Sequence, residues 1–441
     1  MTTELAEPRA DESKPSFRVE FIAGLSTYLT LSYVFLLNPI LLAKTGIDIS
    51  AAFFGTVVSA FLATLLMGVW AKVPFAVAPA PSITTFFVSY VCLELKLPWQ
   101  AALAAVVLSG GLSILMTYLA VRQKLIASIP PALGVGVLFA VGGFLVATGL
   151  TQAKLISFSG GFLDITKLSI GVLASPNAVV FGTGLLVTLF FRQKRFKFSG
   201  APLLGILAAS IVAAAFGIKA TTQAGLSTAM FSAVLQLDFS PLFADSRFFM
   251  AMLVFFIIDF FGGVGKYIGL FAAMGQGVKS IPEKSMGRSL YVDGIGNVFG
   301  GLLGASSLAV FVSSAVGIVA GGRTGRTAVV TAGLMFASIF VLPLVGAIPA
   351  QAASGILAYV GFLLIPWDQI RQKQSALTRL DIIVSVVAAL VAFATYGIDK
   401  AMLIVFLFYS AAVIKRGAKK DDVILLVVTA LLLIAVVAQS L

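Results

Sequence analysis

An acidic and a basic residue stand seven positions apart in an apolar stretch, and their types could do chemistry. The stretch reads FFIIDFFGGVGKYIGLF, from Phe255 to Phe271, and the pair is Asp259 and Lys266. On a straight helix seven residues bring both side chains near one face but about 10 Å apart along the axis, so a direct ion pair is not expected. A lysine in apolar surroundings either neutralises an anionic group or extends its long stem toward water.

The composition indicates that this pair belongs to a membrane protein. The chain has 441 residues, of which 59% are hydrophobic and 11% charged, and this apolar surface exceeds what a soluble domain of that size could bury. Apolar runs of about 20 residues recur, each long enough to cross a bilayer as a helix. A closed barrel would instead show alternating strands. The predicted fold class is therefore an all-α, polytopic membrane protein.

The apolar runs predict about fourteen spans in two sets of seven. They cover residues 21–42, 50–71, 82–94, 99–121, 132–150, 176–192, 200–217, 247–274, 287–304, 309–320, 326–347, 351–366, 381–396 and 399–414. Basic residues collect in alternate loops, which by the positive-inside rule predicts a cytoplasmic N-terminus in the cell inner membrane. The predicted divisions are a tail (1–17), a first repeat (18–217), a connecting loop (218–246), a second repeat (247–414) and a basic cluster with an apolar segment (415–441). Whether that last apolar segment crosses the membrane stays open.

The titratable residues argue against an enzyme. The sequence has no histidine, the commonest general base and metal ligand, and its one cysteine, Cys92, lies in an apolar run. We find no nucleophile paired with a base, and we predict no catalytic residue, no metal site and no cofactor beyond a coupling ion, H⁺ or Na⁺. The net charge of +12 is spread over short loops, so no nucleic-acid partner is predicted.

Two spans are short and are preceded by residues that break helices. Before the third span, VPFAVAPAPSITTFF contains Pro74, Pro79 and Pro81, which exclude a regular helix until about residue 82. The tenth lies in GASSLAVFVSSAVGIVAGG (residues 304–322), which is small and rich in hydroxyl groups. Broken helices at matching positions in two halves indicate a transporter of two inverted repeats, with a midplane solute site between the half-helix N-termini.

Four motifs carry a family resemblance. They are AGLSTYLTLSYVFLLNPILL (23–42), APAPSITTFF (78–87), LYVDGIGNVFGGLLGASS (290–307) and SSAVGIVAGGRTGRTAVV (313–330). They resemble the AzgA-like adenine, guanine and hypoxanthine permeases of the nucleobase–cation symporter, or xanthine–uracil permease, superfamily, over residues 18 to about 415. The resemblance implies a core domain (spans 1–4 and 8–11), a gate domain (spans 5–7 and 12–14) and a homodimer. Substrate would lie between the starts of spans 3 and 10 and face span 8.

The sequence departs from the family pattern at three places in that site. Span 8 of the family has a second acid three residues after the first, and Gly262 stands there in this chain. Span 10 of the family has a glutamate before serine, where this chain has Ser313 and Ser314. In span 3, Gly-Met-Gly-Leu-Asn appears as APSIT, from residue 80. Carboxylates accept hydrogen bonds from nucleobase N–H groups and can take a proton, so their loss weakens purine recognition and proton symport through these positions.

The predicted substrate-binding residues are Pro81, Ser82, Thr84, Asp259, Gly262, Gly263, Lys266, Val312, Ser313 and Ser314. Lys266 is predicted to neutralise an anionic substrate, with extension to the interface as the alternative. Asp259 has a structural, ion-coupling or substrate role. Hydroxyl groups in membrane helices also satisfy backbone groups, so only their location favours a role in binding. Asp293 is expected to hold helix ends together, and Asn38 to mark the end of span 1.

These residues predict a secondary transporter that works by alternating access, with a small-molecule substrate and the lipid bilayer as partners. The preferred solute is a small anion, either an organic carboxylate or sulfonate or an anionic purine. One alternative is a conventional purine–cation symporter. A second is an uncoupled facilitator or channel, which the missing histidines and acids make credible.

Overall fold

The computed structural model describes most of the chain and is mostly helical. It describes residues 15–119, 131–158, 168–170, 175–193, 200–218, 227–243, 245–274, 283–311, 314–341, 348–365, 367, 378–395 and 398–417, with 423, 425–427, 429–430 and 432–433 near the C-terminus. The predicted helical class is confirmed over these residues.

The helices follow the apolar runs. In the first half they are α1 (Phe17–Leu31), α2 (Val34–Leu42), α3 (Ile49–Leu66), α4 (Pro81–Thr85), α5 (Trp99–Tyr118), α6 (Pro131–Gln152), α7 (Pro176–Arg192) and α8 (Ala201–Ala215). In the second half they are α9 (Ser246–Ala273), α10 (Glu283–Leu303), α11 (Ser314–Val319), α12 (Gly325–Ala337), α13 (Ser354–Leu364), α14 (Arg379–Thr395) and α15 (Ile398–Arg416). Wider π-helical turns, Met67–Ala71 and Phe86–Glu94, extend α3 and α4.

Four helical segments among the described residues are long and apolar enough to cross a membrane. They are Phe17–Thr45, Ile49–Ala71, Trp99–Tyr118 and Ala132–Gln152. The first segment continues past Asn38 and Pro39, which corrects the prediction that Asn38 marks the end of span 1. Proline removes one backbone donor from a helix, and in this segment the helix tolerates that loss.

Small residues set the distance between neighbouring helices. Helix α5 packs against α10, and Gly110 and Gly294 lie at their crossing. A Cβ atom on Gly110 would lie 2.8 Å from the Gly294 carbonyl oxygen, so the two backbones are in close contact. Such packing is typical of membrane helices, because lipid provides no hydrophobic drive for their association.

The helices pack mainly in two groups. One contains α1–α3, α5 and α9–α12, and the other contains α6–α8 and α13–α15. Helix α4 contacts members of both groups: α2 and α9 in the first, α6 and α13 in the second. Helix α4 therefore lies where the two groups meet.

Two short strand pairs depart from the all-α prediction. Strand β1 (Val77–Pro79) pairs antiparallel with β4 (Leu308–Val310), and β2 (Ile156–Phe158) pairs with β3 (Leu168–Ile170). The β1–β4 pair is buried, and prolines keep the first of its segments extended. Buried backbone groups need partners, and the two extended segments supply them to each other.

A buried acid joins α1 to the start of α12. Glu20 accepts hydrogen bonds from the Thr324 backbone N–H (3.1 Å) and from the Thr327 hydroxyl. A negative charge is favoured at a helix N-terminus, where unpaired N–H groups point outward. The adjacent Arg323 Nη1 donates to the Ile318 carbonyl oxygen at 2.7 Å, near the end of α11. The AGGRTG motif therefore holds α1, α11 and α12 together.

Candidate functional site

Two hydrogen bonds determine how α9 crosses α10. Asn297 Nδ2 donates to Asp259 Oδ2 at 2.8 Å, and the Tyr267 hydroxyl donates to the Ser289 carbonyl oxygen at 3.1 Å. The residue number rises along α9 as it falls along α10, so the two helices run in opposite directions here. The segments between these bonds therefore face each other.

Those two segments carry a basic and an acidic side chain. On α10, Asp293 lies four residues from both Asn297 and Ser289, so it lies between the two hydrogen bonds. On α9, Lys266 directly precedes Tyr267. The crossing of α9 and α10 thus brings Lys266 and Asp293 to the same region.

Lys266 interacts electrostatically with two carboxylates. They are Asp259, on its own helix, and Asp293, on α10. Both acids are buried, with exposed fractions of 1% and 0%, whereas Lys266 keeps part of its surface accessible. The formal charges of two carboxylates and one ammonium group sum to one excess negative charge. The cluster, defined as Asp259, Lys266 and Asp293, therefore offers no net positive charge to a solute.

Sequence reasoning assigned Asp293 a structural role and missed its place beside Lys266. The pattern could have suggested it, because Asp293 and Asn297 are four residues apart and lie on one face of the helix, within its mainly apolar C-terminal half. The crossing that brings this stripe to α9 depends on tertiary packing.

Asn297 connects the charged cluster to strand β4. Its Oδ1 accepts hydrogen bonds from the Leu308 backbone N–H and from the Ser307 hydroxyl, both at 2.8 Å. Its Nδ2 donates to Asp259. One fully buried amide therefore positions an acid of α9 and the start of β4.

Strand β1 is held in a similar way by α3. The Thr64 hydroxyl donates to the Val77 carbonyl oxygen at 2.8 Å and accepts from the Val77 backbone N–H at 2.9 Å. Each strand of the β1–β4 pair is therefore attached to the helix that precedes it in the chain.

Ser314, a predicted binding residue, joins the two broken segments. Its Oγ accepts a hydrogen bond from the Ala76 backbone N–H at 3.0 Å, and the Phe311 backbone N–H donates to the Ala76 carbonyl oxygen at 2.9 Å. Ser314 is fully buried. The structure thus places it in a bridge between the segment before β1 and the start of α11.

Thr84, another predicted binding residue, belongs to a buried polar network. Its hydroxyl donates to Asn38 Oδ1 at 2.5 Å and lies 2.9 Å from Ser306 Oγ. Asn38 Nδ2 in turn donates to Thr56 Oγ1 at 2.7 Å and to the Ala305 carbonyl oxygen at 3.1 Å. Thr84 and Asn38 therefore hold α4 in position, and substrate contact at Thr84 stays a prediction.

The neighbouring Thr85 differs from Thr84 in its hydrogen bonding. Its side chain is fully buried, and its hydroxyl has no hydrogen-bond partner among the residues that the structure describes. Buried hydroxyl groups are usually paired, so this one is available to a solute or a water molecule. Thr85 was outside the predicted set. It lies in the same helix as Pro81 and Ser82, which are also buried.

The other predicted residues lie in α9 or beyond the described part. Gly262 and Gly263 lie in α9 between Asp259 and Lys266, and Gly263 is buried. Val312 and Ser313 lie outside the described residues.

The contrast between the two threonines leads to a paired prediction. Thr84→Val should lower the melting temperature of the purified protein, because it leaves Asn38 Oδ1 without its donor, at a cost of about 1–3 kcal/mol. Thr85→Val should leave the melting temperature unchanged or raise it, because it removes a buried hydroxyl that has no described partner. Equal destabilisation by both substitutions would contradict these assignments.

Comparison with known proteins assigns the family. The model of the xanthine/uracil permeases, described as a permease family, matches residues 18–366. The chain belongs to the xanthine/uracil permease family. This membership confirms the resemblance that the sequence motifs predicted. A xanthine/uracil permease is an integral membrane protein that transports small molecules, and the chain is one.

Relatives within the family have names that refer to purines. The adenine permease AdeP of Escherichia coli K12 is 32% identical over 349 residues, which cover 79% of this chain and 77% of AdeP. The guanine/hypoxanthine permease PbuO of Bacillus subtilis 168 is 28% identical over 363 residues, which cover 80% of this chain and 82% of PbuO.

Solved structures of other transporters share the fold of this xanthine/uracil permease. The transmembrane domain of a cyanobacterial bicarbonate transporter, BicA, has a TM-score of 0.62 and 19% identity, covering 87% of this chain and 99% of that domain. The murine anion transporter Slc26a9, in its inward-facing state, has a TM-score of 0.62 and 12% identity, covering 91% of this chain and 70% of Slc26a9. At these identities the likeness shows the fold alone.

Proposed function

We propose that this permease is a secondary transporter that carries a purine nucleobase across the cell inner membrane by alternating access. The observation that carries the proposal is the charge balance of the cluster formed by Asp259, Lys266 and Asp293. The lysine, which suggested an anionic solute, interacts with two buried carboxylates of the protein itself. Its charge is therefore balanced without a solute.

Polar groups on α4 and α9, two helices in contact, suit a neutral heterocycle. A purine ring carries both hydrogen-bond donors and acceptors. The Asp259 carboxylate can accept from a ring N–H, and the Thr85 hydroxyl can donate or accept. Helix α4, which carries Thr85, contacts both helix groups, and a solute bound there would lie between them. The names of AdeP and PbuO support a purine over other nucleobases.

An anionic solute is the competing hypothesis. An anion that approached Lys266 would also approach two carboxylates, and the excess negative charge of the cluster would oppose it. BicA and Slc26a9 are anion transporters by name, but their low identity carries no information on the solute of this chain.

The proposal includes the predicted architecture of about fourteen spans in two inverted repeats. The two helix groups support an assignment of α1–α5 with α9–α12 to the core and of α6–α8 with α13–α15 to the gate. The predicted divisions at 1–17, 18–217, 218–246, 247–414 and 415–441 belong to the same proposal. The cytoplasmic N-terminus is also part of the proposal, and the alternation of basic loops supports it. The homodimer is part of it too, and the mass of the purified protein in detergent would test it.

A ligand panel tests the proposed solute. The melting temperature of the purified permease should rise with adenine, hypoxanthine or guanine, because a ligand that binds only the folded state adds about 2.7 kcal/mol at a hundredfold excess over Kd. Bicarbonate, sulfate and small carboxylates or sulfonates should have no effect at equal concentration. Stabilisation by one of these anions, with none by any purine, would overturn the proposal in favour of the anionic solute.

A further inference from the structure

We propose that the Lys266 ammonium group is the resident counter-cation of Asp259 and Asp293, and that it takes the place of a co-transported H⁺ or Na⁺. The inference rests on the proposed function, because it concerns what must accompany the purine. It predicts that this permease equilibrates its solute without an obligatory coupling ion.

The geometry of the α9–α10 crossing supports this role. The two bonds at Asn297–Asp259 and Tyr267–Ser289 hold the helices together on both sides of the cluster. Because Tyr267 is fully buried and bonded to α10, the turn of α9 that carries Lys266 is held against α10. The lysine is thus tethered beside the acids, and extension of its side chain to the interface would separate it from them.

A resident counter-cation lowers the electrostatic cost of buried carboxylates in a membrane carrier. Buried carboxylates are costly in a membrane unless a positive charge or a proton neutralises them. A carrier that contains only acids must recruit a cation from solution before its charged region moves through the bilayer, which couples transport to that ion. Here Lys266 is part of α9 and balances one of the two carboxylates, so the cluster keeps one negative charge instead of two. The Asn297 amide stabilises the charge of Asp259 by a hydrogen bond.

The same geometry predicts what happens when the lysine charge is removed. Lys266→Gln removes the ammonium group with which both Asp259 and Asp293 interact. Loss of a positive charge near two carboxylates raises their affinity for a proton or a sodium ion. The variant should therefore acquire a cation site that the wild-type chain does not need. Its transport should become dependent on an ion instead of being lost under all conditions.

Proteoliposome uptake of labelled adenine or hypoxanthine, driven by its own gradient, tests the inference. Wild-type uptake should change by less than about twofold when choline replaces Na⁺ and a protonophore is added. Lys266→Gln should lose uptake in alkaline choline buffer and recover it about fivefold or more with Na⁺ or at mildly acid pH. Lys266→Arg keeps the positive charge and serves as the matched control, with ion independence expected for whatever activity it retains.

Two results would overturn the inference. One is wild-type uptake that falls more than about tenfold when both ion gradients are removed. The other is a Lys266→Gln protein that binds purine and is as indifferent to Na⁺ and pH as the wild type.

The effect of Na⁺ on the melting temperature is a second readout that needs no substrate. Its wild-type measurement can be made even if the variant does not fold. Na⁺ alone should raise the melting temperature of Lys266→Gln but not of the wild type, and a wild-type protein that Na⁺ stabilises would refute the idea. If purines fail to bind the wild type, the proposed function fails, and this sodium measurement still decides the role of Lys266.

Discussion

Replacement of Asn297 by leucine is expected to abolish purine-induced stabilisation and to lower the free energy of unfolding by about 3 kcal/mol or more. Leucine has a similar volume but no polar atoms. It would leave Asp259 Oδ2 without its amide donor and the Leu308 backbone N–H without its acceptor, both in buried surroundings. Each buried polar group that loses its partner costs about 1–3 kcal/mol, and a charged group costs more.

Ser289→Ala is the matched control for this substitution. Ser289 is also fully buried on α10, but among the described residues its hydroxyl bonds only to the Ser285 carbonyl oxygen of its own helix, at 2.8 Å. The carbonyl oxygen of residue 289, which accepts from Tyr267, remains in the alanine variant. Ligand binding should survive there. If Asn297→Leu bound purines and melted like the control, the amide would not be central to the site.

Gly325→Ala should destabilise the permease by about 3 kcal/mol, although it adds one methyl group. A Cβ atom at this position would lie 1.9 Å from the Gly68 carbonyl oxygen and 2.8 Å from its carbonyl carbon. Both atoms belong to the backbone, so the steric overlap can be removed only if α12 moves away from the π-helical turn at Met67–Ala71. The melting temperature of the detergent-purified protein measures the effect.

Gly333→Ala provides the control on the same helix. This glycine is exposed, and a Cβ atom there would meet nothing within 4 Å. Alanine is the better helix former, by about 0.8–1 kcal/mol in water, so the variant should be neutral or slightly more stable. Similar melting temperatures for the two variants would show that α12 does not pack closely against the turn at Gly68.

The helices and the position of the third-span break could be predicted because they depend on local properties. Apolar runs of sufficient length must form helices in lipid, and Pro79 and Pro81 cannot continue one. Helix α4 accordingly begins at Pro81. The strand pair was not predicted, because it depends on two segments more than 200 residues apart in the chain, Val77–Pro79 and Leu308–Val310, meeting in a buried place.

The sequence singled out several residues of the candidate site, but not their contacts in the structure. Lys266 stood out in the sequence because a charge in an apolar span is costly. Its relation to Asp293 depends on how α9 crosses α10, which no local pattern reveals. Thr84 and Thr85 are adjacent and chemically identical, and only the tertiary structure distinguishes the bonded hydroxyl from the one without a described partner.

Counterflow in proteoliposomes tests the central claim most directly. Vesicles loaded with unlabelled adenine or hypoxanthine should accumulate the labelled purine transiently from outside without any ion gradient, since exchange through one alternating-access site needs no other driving force. Vesicles loaded with sulfate, bicarbonate or a small carboxylate should show no such exchange of the corresponding label. Saturable exchange of one of these anions, with no exchange of any purine, would contradict the account.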